Sequence, residues 1–275
     1  MVMTPNITNP YYACVFDGIN KAAQDLGYDV FLCTTKDHDP EQLLKQSIEQ
    51  QRADGAILLK IYRDDKWLQK WSDKFPVVQC CEYAAPCNTA HVTVDDYRAG
   101  YEATNYLVGL GRKKVAIIGS VNKVMSSHQR MRGYQDALAD AGIPFREEYV
   151  AYTDEDYSFQ SSRAAARQLM SQDDRPDAIF CIGDATAMSA VIVAQELGLV
   201  VPNDVSIVGF DDIVYSTMFH PYLTTVAQPC FELGMKAAEM VHEIIVNGRL
   251  DNRNVILPHS FCVRESTCEL PEPDK

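Results

Sequence analysis

The sequence predicts an α/β protein built from parallel sheets with helices on both faces. Short runs rich in Val and Ile alternate with amphipathic helices along the chain. The runs are continuously apolar, which is typical of parallel strands covered on both faces. Residues 51–59 (QRADGAILL) and 174–182 (DRPDAIFCI) also share one design: a helix end, an Asp, a small residue and an apolar strand. This repeat favours two α/β units of similar build.

The length of the chain supports the same division. Chains longer than about 250 residues tend to split into domains, and this chain has 275 residues. A single large doubly wound sheet is the alternative interpretation. Two units remain the simpler explanation, because each half of the chain carries one copy of the repeated design.

The elements of the first half follow from periodicity. Apolar positions between Val15 and Leu26 share one face of a predicted helix, and a polar helix is predicted from about Pro40 to Arg52. Ala99 to Leu110 provide a third helical face. The predicted strands are GYDVFLCTT (27–35), DGAILLKI (54–61), FPVVQCC (75–81), HVTVD (91–95) and KKVAIIGS (113–120).

The second half continues the alternation. Helices are predicted over 127–141 and 158–170, and a further helix is predicted to end at Leu197. A last helix carries apolar positions between Gly234 and Ile245. Because two short strands follow that last helix, the chain is expected to return to the first unit and cross again. The predicted strands are EEYVAY (147–152), DAIFCIGD (177–184), DVSIVGFDD (204–212), LTTVAQP (223–229), NVILP (254–258) and SFCVRES (260–266).

Composition excludes several classes of function. The formal net charge is −13, which disfavours binding of this chain itself to nucleic acid or to an anionic membrane. Nine cysteines without a C-x-x-C pair favour a reducing cytoplasm over a disulfide framework. The first residues contain no signal-peptide pattern, and no apolar run approaches the roughly 20 residues of a membrane helix.

Motifs of enzyme chemistry are missing from the sequence. There is no G-x-G-x-x-G after a strand, no P-loop, no G-x-S-x-G and no H-E-x-x-H. The six histidines lack the spacing of metal ligands. We therefore expect no enzyme activity, no cofactor and no metal, although an α/β enzyme with an unrecognised site remains an alternative.

Five segments in order resemble the effector-binding core of the LacI/GalR family of transcriptional regulators. The segments lie between residues 5 and 229, and the resemblance covers essentially the whole chain. The segments are PNITNPYYACVFDGINKAAQDLGYDV, VDDYRAGYEATNYLVGLGRKKVAIIG, RMRGYQDALADAGI, RPDAIFCIGDATAMSAVIVAQELGLVVPNDVSIVGFDD and PYLTTVAQP.

The resemblance implies a fold similar to periplasmic binding proteins of type I, with two Rossmann-like lobes joined by three crossovers. The implied first lobe contains residues 1–119 and 229–251, and the second contains 120–228 and 252–275. Family members carry a helix-turn-helix module before this core, and no such module is present in this chain. Either the module was removed or this protein never had one.

The resemblance also implies the function. The chain is expected to be the homodimeric core of a cytoplasmic repressor-type regulator that binds a small polar effector, most simply a sugar or sugar derivative, in the cleft between the lobes. Operator DNA would be bound through the missing module. A solute-binding protein of a sugar transporter and a nucleoside- or purine-responsive regulator are the alternatives.

Arg130 is the first candidate site residue. Its position at a helix start allows either a ligand contact or a salt bridge to a nearby acid. The family's effector-contacting arginine lies three residues before the glycine of RMRGY, which corresponds to Arg130 and Gly133. The resemblance therefore implies that Arg130 binds the effector and that Arg132 faces solvent. Arg130→Ala is expected to weaken effector binding about ten- to a hundred-fold with little effect on folding.

Acidic residues after strands are the second group of candidates, since ligands bind at the carboxyl ends of strands in such sheets. Asp95 and Asp211 match family positions that accept hydrogen bonds from effector hydroxyls. Their neighbours Asp96 and Asp212 are expected on the surface or as capping residues. Asp184 is expected to cap a helix, to bind the effector, or both.

The remaining candidates are polar and aromatic. The resemblance places Asn9, Tyr11 and Tyr12 on the wall of the first lobe, and it places Tyr157 where an aromatic ring stacks on the effector from the second lobe. Plain packing is the alternative for any one tyrosine. Further ligand-binding candidates are Gln228 at a crossover and Ser126 just before the arginine segment.

Overall fold

Two six-stranded sheets, each in its own structural unit, form the framework of the computed structural model, which describes residues 1–36 and 38–268. The strands are β1 (Val2–Thr4), β2 (Leu32–Thr34), β3 (Ala56–Leu58), β4 (Val77–Cys80), β5 (Ala90–Val94), β6 (Val115–Ser120), β7 (Val150–Thr153), β8 (Ala178–Cys181), β9 (Ser206–Asp211), β10 (Thr224–Ala227), β11 (Asn254–Leu257) and β12 (Ser260–Cys262).

Helices connect these strands. They are α1 (Pro10–Asp25), α2 (Pro40–Glu49), α3 (Trp67–Ser72), α4 (Asp96–Gly109), α5 (Met125–Asp140), α6 (Phe159–Met170), α7 (Asp184–Glu196) and α8 (Cys230–Asn247), with 3₁₀ turns at Glu147–Tyr149 and Val214–Thr217. The periodicity predicted all of the α-helices except α3, which has only one clearly buried residue, Leu68. The first half of the predicted strand EEYVAY is the first of the two 3₁₀ turns.

The first sheet has the order β11-β5-β4-β3-β1-β2, and its strands pair in parallel throughout. Pro10 begins α1, a position where its missing N–H is not needed. Val15, Ile19, Ala22 and Ala23 line the buried face of that helix. The residues of the first unit are Met1–Asp95, Lys123–Ser126 and Pro229–Pro258.

The second sheet has the order β12-β10-β9-β8-β6-β7, and only β12 runs antiparallel to its neighbour. Alternate strand residues face opposite sides: Ile118 and Ile179 pack with α6 and α7, whereas Ile117 and Phe180 pack with α4 and α5. The continuously apolar strands are therefore covered on both faces, as predicted. The second unit contains Asp96–Asn122, Ser127–Gln228 and His259–Lys275.

The predicted lobe boundaries at 119 and 251 differ from these units. Residues 96–119 belong to the second unit, because β6 pairs with β7 and β8 and the face of α4 packs on the same sheet. Residues 252–258 belong to the first unit, because β11 pairs with β5. The chain passes from one unit to the other after Asp95, after Gln228 and after Pro258, and the short stretch 123–126 also lies in the first unit.

Each of the nine cysteines carries a free thiol. None of the helices within residues 1–36 and 38–268 combines the length and the apolar character that crossing a membrane requires.

Candidate ligand-binding site

The carboxyl edge of the second sheet gathers half of the ten predicted site residues. Asp211 is the last residue of β9, and Gln228 directly follows β10. Tyr157 and Asp184 follow β7 and β8, and Asn122 follows β6. Because these strands are parallel, all five residues lie at one edge, where ligands of open α/β sheets bind.

Arg130 is buried at this edge and held from three sides. Its Nε and Nη2 atoms each lie 2.8 Å from Oδ1 of Asp96. Its Nη1 donates to the carbonyl oxygen of Ile182 at 2.7 Å, and its Cζ lies 3.5 Å from the ring centroid of Phe210. The salt-bridge interpretation of Arg130 is thus present in the structure, and its role toward a ligand remains a prediction.

Two sequence-based expectations about this pair need correction. Asp96 is not a surface residue, because only 5% of it is exposed. Arg130→Ala cannot be nearly neutral for folding, because it would leave the buried Asp96 carboxylate without this counter-ion. Arg132 is exposed, as expected, and donates to Gln129 at 3.3 Å.

Close packing of α4 and α5 explains why Arg130 meets Asp96. A Cβ atom at Gly133 would lie 2.2 Å from the carbonyl oxygen of Tyr97. A Cβ at Gly100 would lie 2.6 Å from the carbonyl oxygen of Arg130. The spacing of Arg130 and Gly133 in RMRGY therefore has a structural cause: the glycine lets α5 approach α4, and the arginine one turn earlier reaches the start of α4.

Asp211 lies beside this ion pair in an unusual backbone conformation, with a φ of 115°. Its Oδ1 accepts a hydrogen bond from Nε2 of Gln228 at 2.7 Å. Burial raises the pKa of Asp211 to about 7, against the opposing effects of Arg130 and Gln228. This carboxyl group therefore changes protonation near neutral pH, which alters whether it donates or accepts a hydrogen bond.

Asp184 ties the strands of the second sheet together. It is fully buried, and its two oxygens accept from Oγ1 of Thr225 at 2.6 Å and from the backbone N–H of Ile213 at 2.8 Å. Burial, and then the charge of Asp211, raise its pKa well above the usual range. The N-cap of α7 is Gly183, so Asp184 is the first helical residue and not the expected capping residue.

Asp212 does not have the expected capping role either. It accepts hydrogen bonds from Arg264 at 2.7 Å and from Ser216 at 2.8 Å. Burial acts to raise its pKa, but these hydrogen bonds outweigh burial and the pKa is lowered. Asp212 therefore forms a partly buried ion pair, in contrast to the neighbouring Asp211.

Tyr157 belongs to a separate polar cluster at the same edge. Its hydroxyl accepts from Nδ2 of Asn122 at 2.8 Å and lies 3.4 Å from Oγ of Ser127. Within residues 1–36 and 38–268, Oδ1 of the buried Asn122 has no hydrogen-bond donor. Sequence reasoning missed Asn122, although its place two residues after a parallel strand was an available signal.

The first unit presents its own candidates at the carboxyl edge of its sheet. Asn9 caps α1 by accepting from the backbone N–H of Tyr11 at 3.0 Å. The Tyr11 ring is buried, contacts the Tyr12 ring edge-on at 5.4 Å, and its hydroxyl is hydrogen-bonded to the Cys81 thiol. Asp95 directly follows β5 and is partly buried.

Ser126 contacts a buried acid that the sequence did not single out. Its backbone N–H donates to Oε2 of Glu82 at 3.0 Å, and its hydroxyl donates to Oε1 of the same residue. Glu82 follows β4 and is 9% exposed. No periodic pattern marks Glu82, because it lies in an irregular segment after the strand.

Comparisons with known proteins agree with this architecture. A family model described as "Periplasmic binding proteins and sugar binding domain of LacI family" matches residues 1–265. Catabolite control protein A of Priestia megaterium is 30% identical over 97% of this chain and 80% of its own length. The HTH-type transcriptional repressor CytR of Escherichia coli K12 is 30% identical over 98% of this chain and 80% of its own length.

A solved structure extends the comparison to a ligand complex. The complex of the transcriptional regulator CelR with cellobiose has a TM-score of 0.88 and 26% sequence identity to this chain. The match covers 96% of this chain and 83% of the other.

Proposed function

The chain belongs to the LacI family, as the effector-binding domain of a transcriptional regulator, and from this membership we propose that its effector is a sugar or sugar derivative. We further propose that the regulator is a homodimeric repressor that acts in the cytoplasm. LacI-family regulators bind small molecules and DNA. The relatives named above are regulators and not enzymes.

The observation that carries the sugar proposal is the group Arg130, Asp211 and Gln228 on one sheet edge. The group offers guanidinium and amide donors beside a carboxyl acceptor: Gln228 donates to Asp211 at 2.7 Å, and the charge of Arg130 acts on the same carboxyl group. Adjacent hydroxyls of a sugar both donate and accept, so they match such a mixed set. The cellobiose complex of CelR supports the same ligand class.

Residues of the first unit are proposed to contribute as well. Asn9, Tyr11 and Tyr12 lie at the start of α1, Asp95 directly follows β5, and Ser126 lies in the first turn of α5. The family resemblance assigns all five to the ligand. Aromatic rings such as Tyr12 pack against the C–H faces of sugars. This assignment depends on the resemblance more than on any one contact.

A nucleoside or purine is the second candidate, and the cluster of Tyr157 and Asn122 favours it. A tyrosine ring stacks on a base, and the buried Oδ1 of Asn122 would accept from an exocyclic amine. A sugar hydroxyl would satisfy the same oxygen. The two ligand classes therefore have to be separated by experiment.

The proposed link to DNA is indirect. The net charge of −13 disfavours contact between this chain and phosphates. We propose that a helix-turn-helix module, of the type that the repressor CytR is named for, binds the operator. The effector would change operator binding only by its difference in affinity for the two states of the regulator.

Calorimetric titration with two ligand panels, sugars and nucleosides, tests the proposal. We expect a sugar to bind and to raise the melting temperature by mass action. Gln228→Ala should reduce its affinity about ten-fold, since one hydrogen bond to a ligand hydroxyl is lost. The exposed Gln168→Ala is the matched control and should leave affinity unchanged.

One outcome would overturn the sugar assignment, and another would overturn the assignment of the site. Binding confined to nucleosides or purines would support the second candidate and refute the first. Sugar binding that Gln228→Ala and Asp211→Asn leave unchanged would show that the ligand does not use this edge of the second sheet.

A further inference from the structure

Helices α1 and α8 of the first unit are in direct backbone contact. A Cβ atom at Gly18 would lie 2.0 Å from the carbonyl oxygen of Phe231, and a Cβ at Gly234 would lie 2.0 Å from the carbonyl oxygen of Val15. Each glycine therefore packs against the backbone of the other helix, and the two contacts lie at nearly the same height along the helix pair. This reciprocal contact fixes the register of the two helices.

A cysteine stands one helical turn before each glycine. Cys14 precedes Gly18 by four residues, and Cys230 precedes Gly234 by four. Residues four apart share a helix face. Ala22 and Ala238 continue the same rows in the other direction, so both helices carry Cys, Gly and Ala in one order. The two helices run in the same direction, and this register sets Cys14 opposite Cys230.

The contacts at the two sulfurs agree with this register. The Cys230 thiol and the backbone N–H of Phe231 both donate hydrogen bonds to the Cys14 sulfur. Cys230 is the first residue of α8, and the N-cap residue, Pro229, makes no side-chain capping bond. The Cys14 sulfur therefore lies at the positive end of α8, where a thiolate is stabilised.

This environment distinguishes Cys14 from Cys33, Cys81, Cys87 and Cys262. The hydrogen bond from Cys230 lowers the pKa of Cys14 to about 7, against the effect of burial. Burial raises the pKa of Cys33, Cys87 and Cys262, and raises it further for Cys81. Cys14 is partly exposed, whereas Cys230 is buried behind it.

We propose that Cys14 and Cys230 are a site of oxidative modification, in which a peroxide converts the two thiols to a disulfide between α1 and α8. Cys14 is the attacking sulfur and Cys230 the resolving one. The bond would fix the first turns of α1, which begin with Asn9, Tyr11 and Tyr12, to the start of α8.

The chemistry balances with one peroxide molecule. The Cys14 thiolate attacks one peroxide oxygen, the O–O bond breaks, and a sulfenic acid and one water form once a proton is taken up. The Cys230 sulfur then attacks the Cys14 sulfur, the S–O bond breaks, and the hydroxide leaves with the Cys230 proton as the second water. The two cysteines lose two electrons in total, which reduce the peroxide.

Alkylation of the folded protein tests the first step. At neutral pH, iodoacetamide should modify Cys14 about ten-fold faster or more than Cys33, which is also partly exposed but has a raised pKa. Mass spectrometry of peptides measures both rates in one sample. Equal rates for the two cysteines would overturn the assignment of Cys14 as the reactive thiol.

Peptide mapping after treatment with hydrogen peroxide tests the second step. We expect a linked peptide containing Cys14 and Cys230, with the mass of two hydrogen atoms lost and restored by reductant. Cys14→Ser and Cys230→Ser should both abolish the link, whereas Cys33→Ser should leave it intact, with circular dichroism confirming that each variant folds. A link formed by other cysteines, or Cys14 oxidised beyond the sulfenic acid while Cys230 stays reduced, would overturn the proposal.

Discussion

At the residue scale, the buried pair of Arg130 and Asp96 shows how a ligand-site candidate can also be structural. Arg130 is 7% exposed, and Asp96 and Ile182 accept hydrogen bonds or contacts from three of its guanidinium nitrogens. Breaking a buried ion pair by removing one partner is strongly destabilising, because the other charge stays buried. The effect of Arg130 on binding must therefore be separated from its effect on folding.

We expect Arg130→Ala to lower the free energy of unfolding by about 3–5 kcal/mol, whereas Arg132→Ala should lower it by about 0–1 kcal/mol because Arg132 is exposed. Urea denaturation of both variants measures the difference. The double variant Arg130→Ala with Asp96→Ala should lose less free energy of unfolding than the sum of the losses for Arg130→Ala and Asp96→Ala alone. Additive losses would show that the pair contributes little to folding.

Asp211 predicts a pH dependence of stability. An acid whose pKa is raised on folding binds a proton more tightly in the native state, so its stabilising contribution is full below the unfolded pKa of about 3.9. That contribution is lost as pH rises toward the folded value of about 7. Asp211→Asn should therefore gain stability relative to the native sequence across this window, by at most about 1.4 kcal/mol per pH unit.

The measurement compares urea denaturation of the two proteins from about pH 5 to about pH 8. The difference in their free energies of unfolding reports Asp211 together with its effect on the neighbouring Asp184, because the more distant titrating groups are shared. Above pH 7 the difference should become constant. A difference that does not change with pH would show that Asp211 keeps an ordinary pKa in the folded chain.

At the scale of elements, the contact of α1 and α8 depends on the absence of side chains. Gly18→Ala places a methyl group 2.0 Å from the Phe231 carbonyl oxygen, so the helices must separate. Overpacking of this kind costs about 1–3 kcal/mol or more. We expect Gly18→Ala to lower the melting temperature clearly, as measured by circular dichroism.

Gly109 near the end of α4 supplies the control. A Cβ there meets nothing within 4 Å, and alanine favours the helix by about 0.5–1 kcal/mol. Gly109→Ala should therefore be neutral or stabilising. A similar loss for both variants would mean that the α1–α8 contact is not what Gly18 preserves.

The elements also show how far the sequence predicts the fold. Long amphipathic helices and apolar strands were predictable, because their periodicity reports burial directly. The sheet to which an element belongs was not predictable. The apolar face of α4 and the strand β6 would fit either sheet, and the sequence analysis assigned residues 96–119 to the first unit, whereas they belong to the second. Pairing partners far apart in the chain, such as β11 and β5, leave no local signal.

The candidate site was predictable to a similar extent. The rule that ligands bind at the carboxyl ends of strands led to Asp211 and Asp184, which do lie at one edge of the second sheet. Gln228, chosen because it lies at a crossover, follows β10 at the same edge. It did not reveal that Asp96, and not Asp95, would pair with Arg130. Glu82 was missed because its burial depends on tertiary packing, whereas the place of Asn122 two residues after β6 was a signal that the sequence offered.

At the scale of the whole molecule, the second unit exposes several large apolar side chains close together in sequence. Val214, Tyr215, Met218 and Phe219 follow one another around the second 3₁₀ turn, and Phe219 is 63% exposed. Beside them lies a groove of about 380 Å³ lined by Met188, Val191, Ile192 and Leu223, among others. Contiguous apolar patches on soluble proteins mark interaction surfaces.

We expect this surface to pair with a second copy of the chain. A homodimer brings the same patch of both copies together about a two-fold axis, so an aromatic anchor such as Phe219 is buried twice in one interface. Palindromic operators require two reading heads, which agrees with the proposed repressor.

Phe219→Asp adds two like charges to that interface, and Asp140→Ala, at an exposed position of α5, is the control. Light scattering at micromolar concentration should show a dimer of the 30.8 kDa chain for the native sequence and the control, and a monomer for Phe219→Asp. A native monomer, or a Phe219→Asp dimer of unchanged stability, would exclude this surface as the interface.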